Sequence, residues 1–110
     1  MIDVTPEQLA LVQGILAKHV PTCEVWVFGS RVAGKTWAHS DLDLVVITSA
    51  PLSLVAIADL ISEFQDSDLP FHVDVLDWAR VAEPFRAIIE EQYEVIQPAS
   101  AAASTTETTA

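Results

Sequence analysis

The chain has 110 residues, 51% of them apolar, and its 16 acidic side chains against 5 basic ones give a formal net charge of −11. That length supports one domain, a positive mean hydropathy excludes wholesale disorder, and so few basic residues argue against nucleic acid as the binding partner, leaving a basic protein as the better match for an acidic surface. No apolar run approaches the roughly 18 residues of a membrane span, the first residues lack the basic-then-apolar order of a secretory signal, and the lone Cys23 can close no internal disulfide, so a cytoplasmic protein is expected, with Cys23 as a packing residue.

Thr5-Pro6-Glu7-Gln8 predicts a helix start, with a capping threonine, proline in the first helical position and Gln8 three residues beyond the cap. Leu9, Val12, Ile15 and Leu16 follow at helical spacing, and the helix ends near His19 because Pro21 cannot continue it. His19 then sits at the negative end of the helix dipole. Glu24–Phe28 is a short apolar strand.

After that strand the Gly29-Ser30 corner lets the backbone turn sharply and approach a ligand, because glycine carries no Cβ. Ser30 offers a hydroxyl and an amide to a phosphate oxygen, and a short helix starting there would favour an anion. Arg31 and Lys35, two of only five basic residues, fall in the same loop. Trp37 reads as a lid over the strand ends, with base stacking as the alternative. His39 either touches a phosphate or a partner, or is a solvated loop residue.

Leu42–Ile47 is the second strand, and Asp41 and Asp43 stand at its mouth. Residues two apart on a strand project from one face, so both carboxylates point the same way. Two like charges held together call for a counter-charge. A hard divalent ion with oxygen ligands supplies it, and magnesium fits best because it is held by one or two carboxylates together with nucleotide phosphates.

Ser49-Ala50-Pro51 is a turn, and Ser53 to Gln65 reads as an amphipathic helix with Leu54, Ile57, Ala58, Ile61 and Phe64 on one stripe. Asp66-Ser67-Asp68 and Pro70 break it. Phe71–Leu76 is the third strand, with Asp74 in its middle. A carboxylate between two valines is costly to bury unpaired, so Asp74 is the candidate third metal ligand of a two-metal clamp. Its competitor Asp77 reads as a cap for the next helix. Pro84–Glu91 is a helix and Tyr93–Gln97 a short closing strand, with Tyr93 as packing. Arg80 and Arg86 could reach a triphosphate, but surface pairing with Glu83 or Glu90 is the simpler reading. From Pro98 onward the Ala/Ser/Thr tail buries too little to order itself, so residues 1–97 form the domain and 98–110 a disordered tail.

Gly29-Ser30, then Gly34, then Ser40-Asp41-Leu42-Asp43-Leu44, then Asp74 in an apolar strand, resembles the minimal nucleotidyltransferases of the DNA polymerase β superfamily. The likeness runs from about Leu9 to Ile96. A lone Gly-Ser or Asp-x-Asp carries little; the two at this spacing, each on the expected side of a strand, carry much more. The resemblance implies an α/β (α+β) fold, with helices on a small mixed sheet of three to four strands. It also implies transfer of AMP from ATP to a hydroxyl, with Asp41, Asp43 and Asp74 as Mg²⁺ ligands and catalytic residues. Gly29 and Ser30, with Arg31 and Ser40 beside them, would hold the nucleotide. In this family the usual partner is a small helical HEPN protein, a toxin RNase that the nucleotidyltransferase counteracts as antitoxin, which makes a hetero-oligomer and a toxin tyrosine as acceptor the expectation. Two other readings stay open: an idle antitoxin that only occludes its toxin, and a small-molecule nucleotidyltransferase that forms its pocket by dimerising.

Overall fold

A computed structural model of the chain describes residues 2–34 and 40–99. The expectations placed on Lys35, Trp37, His39 and most of the tail therefore lie outside the described residues.

Helix α1 spans Pro6–His19 and opens with a capping box in which the Thr5 hydroxyl accepts from the Gln8 amide, and the Gln8 side chain accepts from the Thr5 amide. Strand β1 is Glu24–Phe28, the single turn α2 is Ser30–Ala33, and β2 is Leu42–Ile47. Helix α3 covers Leu54–Asp66, with the Ser53 hydroxyl accepting from the Ala56 amide as its cap. Strand β3 is Val73–Asp77, followed by a 3₁₀ turn at Trp78–Arg80, helix α4 at Glu83–Glu91 and strand β4 at Tyr93–Gln97.

The four strands form one mixed sheet in the order β3-β2-β1-β4. Strand β1 runs antiparallel to both β2 and β4, whereas β2 and β3 are parallel. A parallel pair needs a crossover, and α3 supplies it.

One face of the sheet carries the main core. Val25 and Val27 of β1, Leu42, Leu44 and Val46 of β2, and Val73 and Val75 of β3 pack with Val12, Ile15 and Leu16 of α1 and Leu60 and Phe64 of α3. Each such side chain contributes about 1.5–3 kcal/mol by leaving water. The alternate residues point to the opposite face, where Trp26 stacks on Tyr93 at 3.9 Å and meets Trp78 edge-on at 5.3 Å, and Phe28 meets Phe85 of α4 edge-on at 6.0 Å. Helix α4 thus covers part of this second face, and Val45 of the central strand β2 is fully buried there. Tyr93 is the packing residue its sequence context suggested. Cys23 packs partly buried against the core.

The basic residues near the C-terminal end depart from expectation. Arg80 donates to the Leu52 carbonyl at 3.0 Å and pairs with Asp77 at 3.5 Å, and Arg86 donates to the Trp78 carbonyl at 2.7 Å and lies over the Trp78 ring. Arg86 is thus anchored on the 3₁₀ turn, and Arg80, within that turn, on the connector at Leu52 and on the turn's cap Asp77, in place of Glu83 or Glu90. His19 ends α1 and bonds Glu63 of α3 at 2.7 Å, beside Lys18 at 3.0 Å. These two partners hold the Glu63 carboxyl below its ordinary range, through hydrogen bonds first from His19 and then from Lys18.

Candidate active site

Strand register lines up one row of residues across the second face. Tyr93 of β4 pairs with Phe28 of β1, Phe28 with Asp43 of β2, and Asp43 with Asp74 of β3. Neighbouring strands lie about 4.8 Å apart, so Asp43 and Asp74 stand side by side on the parallel pair. Asp41 precedes β2 on the same side and is exposed. The ladder itself therefore sets the spacing of the first two carboxylates.

Charge crowding is visible in Asp43. Burial first, then Asp74, then Asp41 push its carboxyl up from 3.8 to about 6, with His72 pulling weakly the other way. A carboxyl whose ionisation two neighbouring carboxylates oppose is suited to a cation. The three carboxylates are not drawn into a closed cage: among the described residues no group of three His, Cys, Asp or Glu side chains could hold a metal ion alone. The all-oxygen donor set does fit magnesium shared with phosphates, which needs only one or two carboxylates from the protein.

Gly29 closes the other side of the site. It has φ +78°, and a Cβ there would overlap Asp43 Oδ2 and lie 3.2 Å from Asp43 Cγ. Only a residue without a side chain lets the backbone press so closely on the carboxylate. Ser30 opens α2 directly after it, half-exposed, and Gly34 ends that turn in the left-handed region with φ +78°. The corner expected to bind phosphate is thus packed against Asp43, one of the carboxylates expected to bind metal.

Two of the expected nucleotide contacts, Arg31 and Ser40, are buried in this structure. The Arg31 side chain is 5% exposed and turns inward. Its Nε and one terminal nitrogen donate to the Ser40 carbonyl at 3.0 and 2.8 Å, the other terminal nitrogen donates to the Asp3 carbonyl at 2.7 Å, and the guanidinium lies 4.1 Å from the centre of the Phe71 ring. Ser40 is itself buried and serves as the acceptor. A buried guanidinium needs its donors satisfied, and backbone carbonyls satisfy these; Arg31 ties α2 to the residue that precedes Asp41. Asp77 lies on the core face, one strand alternation away from Asp74. It caps the 3₁₀ turn through the Ala79 amide at 3.2 Å, as expected, and also accepts from the Leu52 amide at 2.7 Å and the Thr48 hydroxyl at 2.5 Å. Sequence reasoning passed over Phe28 and His72 as neighbours of Asp43; the strict alternation of β1 placed Phe28 on the outer face, but only the register reveals what it sits beside.

The family described as polymerase beta, nucleotidyltransferase matches residues 12–100. The chain is 50% identical over 96 residues to the probable protein adenylyltransferase MntA of Haemophilus influenzae, covering 87% of this chain and 84% of that protein. Among solved structures, a chain of a toxin–antitoxin complex with AMP-PNP superposes with a TM-score of 0.69 at 19% identity, over 89% of this chain and 78% of that one. A chain of the tri-AMPylated Shewanella oneidensis HEPN toxin in complex with its MNT antitoxin superposes with a TM-score of 0.64 at 18% identity, over 91% and 76%. At those identities the two structures speak for the fold.

Proposed function

Because this chain belongs to the polymerase beta nucleotidyltransferase family, we propose that it is an antitoxin enzyme that transfers AMP from ATP to a hydroxyl, a tyrosine by expectation, of a HEPN-domain toxin and so neutralises it. The half-identical relative is named a protein adenylyltransferase, and a structure of the same fold holds an AMPylated toxin with its antitoxin. The observation that carries the reading is the contact between Gly29 and the Asp43 carboxylate: a triphosphate held at the Gly29-Ser30 corner has its phosphates on the carboxylates.

In the reaction the acceptor oxygen forms a bond to the α-phosphorus, the bond from that phosphorus to the β-bridging oxygen breaks, and pyrophosphate leaves. Gly29 and Ser30 hold the phosphates in line. Asp41, Asp43 and Asp74 would hold Mg²⁺, which when bound neutralises charge on the departing pyrophosphate. Asp74, exposed on the edge strand of the sheet, is placed to take the proton from an acceptor that approaches from outside. ATP as substrate favours the cytoplasm, and no helix among the described residues is long and apolar enough to cross a membrane.

Incubation of both purified proteins with labelled ATP and Mg²⁺ tests this. Label appears on the toxin with wild type and falls at least about a hundredfold with Asp43→Asn. Absence of label on a toxin that binds and is folded overturns the enzymatic reading, and full protection from the toxin by the Asp41→Ala, Asp43→Ala double variant favours occlusion.

A further inference from the structure

A phosphoryl group in transfer carries charge on its non-bridging oxygens, and carboxylates cannot hold them; a hydrogen-bond donor is needed. The chain has few basic side chains, five Lys or Arg and three His. Lys18 and His19 share Glu63. Arg31 is turned inward onto the Ser40 and Asp3 carbonyls. Arg80 is held at Leu52 and Asp77, and Arg86 at Trp78. With Lys35 and His39 outside the described residues, the basic side chain that remains is His72.

His72 stands where such a donor is wanted. It is exposed between the buried Phe71 and Val73, so the alternation of β3, carried back one residue, puts it on the face that bears Asp74. Its carbonyl accepts from the Leu42 amide at 2.9 Å, and the parallel register that pairs Leu42 with Val73 and Asp43 with Asp74 sets Asp41 beside His72. Asp41 and His72 thus form one row and Asp43 and Asp74 the next, about 6.6 Å along the strands. The imidazole is near enough to Asp43 to ease its ionisation against the pull of the two carboxylates. Among the described residues the ring makes no hydrogen bond and no ion pair. One ring nitrogen carries a proton in either neutral tautomer, so a donor is present without any change of charge.

We propose that His72 contacts the substrate in the transfer reaction, its ring N–H donating to a non-bridging oxygen of the α-phosphate. The Gly29-Ser30 corner follows β1, on the other side of Asp43 from β3, and takes the β- and γ-phosphates. The α-phosphate then lies over the block that His72 completes. The acceptor's proton goes to Asp74, and His72 keeps its own. The proposal rests on the reading of the chain as an AMP-transferring enzyme, and its binding arm needs no turnover.

The test compares wild type with His72→Leu and with His72→Gln, which keeps an N–H donor; cooperative urea unfolding certifies each fold. Labelled AMP transfer to the purified HEPN toxin is measured with ATP and with each of the two α-thio diastereomers of ATP. His72→Leu slows transfer from ATP at least about tenfold, and His72→Gln recovers most of that loss. With one diastereomer the penalty of His72→Leu shrinks, because sulfur has already removed the acceptor and the two losses do not add. In the binding arm, calorimetry with Mg²⁺ shows α,β-methylene ATP bound about threefold or more weakly by His72→Leu, with pyrophosphate bound as by wild type. Equal transfer by wild type and His72→Leu, an equal penalty with ATP and both diastereomers, or unchanged binding of the analogue overturns the contact. Pyrophosphate weakened as much as the analogue puts His72 at the leaving group and also overturns it. A wild type that never labels a bound, folded toxin overturns the enzyme reading, while selective loss of the analogue by His72→Leu still upholds the contact.

Discussion

A methyl group on Gly29 has no room: it would overlap Asp43 Oδ2 on a backbone already at φ +78°. Gly29→Ala should cost about 1–3 kcal/mol in urea unfolding and should also remove the melting-temperature rise with Mg²⁺ and ATP, because relief of the overlap moves the phosphate corner off the carboxylate. Asp43 gives the complementary case. Its folded carboxyl holds a proton up to about pH 6 against 3.8 for an unperturbed aspartate, so between those values the folded chain binds more protons than the unfolded one. Stability therefore falls as pH rises through this window and stays lowered above it. Solvent screening at a half-buried group reduces the full equivalent of the shift, leaving about 1 kcal/mol. In EDTA, Asp43→Asn should be more stable than wild type by about that amount at pH 7.5, and the gap should close as pH falls toward 4 in parallel urea titrations. Asp74→Asn should weaken the thermal response to Mg²⁺ and ATP, as expected of its register partner.

At the scale of elements, Asp77 ties the end of β3 to the connector at 48–52 through two acceptor contacts and caps the following turn through a third. Asp77→Ala should lower stability by about 2–4 kcal/mol, since two amides and a hydroxyl lose their partner, and should leave the Mg²⁺ and ATP response intact because Asp77 faces the core. Its role as a cap was legible, being a local matter of an acceptor before a turn. Its bonds to Thr48 and Leu52 were not, because strand pairing brings those residues together from 25 and more positions away. The same division holds elsewhere. The bounds of β1 and β2 followed from short apolar runs closed by Gly29 and opened by Asp41, and the start of α1 from its capping box. The third strand starts at Val73, two residues later than its apolar run suggested, and extends to Asp77, since the parallel register with β2 decides where pairing begins and ends. Arg31 looked like a phosphate ligand because charge alone gives no direction; only the packed Phe71 and the Ser40 and Asp3 carbonyls turn it inward.

The whole molecule carries its −11 charge on a small body, and self-repulsion follows. Sodium chloride raised from 20 to 500 mM should lift the melting temperature by a few degrees, as screening shortens the reach of these charges to about 4 Å. The Gly-Ser and Asp-x-Asp spacing pointed from the sequence alone to the family this chain belongs to. An apolar cleft between α3 and α4 was hidden because Leu54 and Phe85, which line it, look like ordinary helix-stripe residues until packing shows how much of each is left exposed.

The reciprocal tie between the start of the chain and the active-site loop bears on how the protein is handled. The Asp3 amide donates to the Arg31 carbonyl at 2.8 Å while the Arg31 guanidinium donates to the Asp3 carbonyl at 2.7 Å, and the same guanidinium holds the Ser40 carbonyl next to Asp41. An affinity tag fused ahead of Ile2 therefore hangs from the brace that joins α2 to Ser40, and its bulk can be transmitted to the reaction without any change of sequence in the site. A tag joined beyond Ala99 leaves from β4, which the β2–β1 pair separates from Asp74, and is the placement for assays meant to report on the unmodified enzyme.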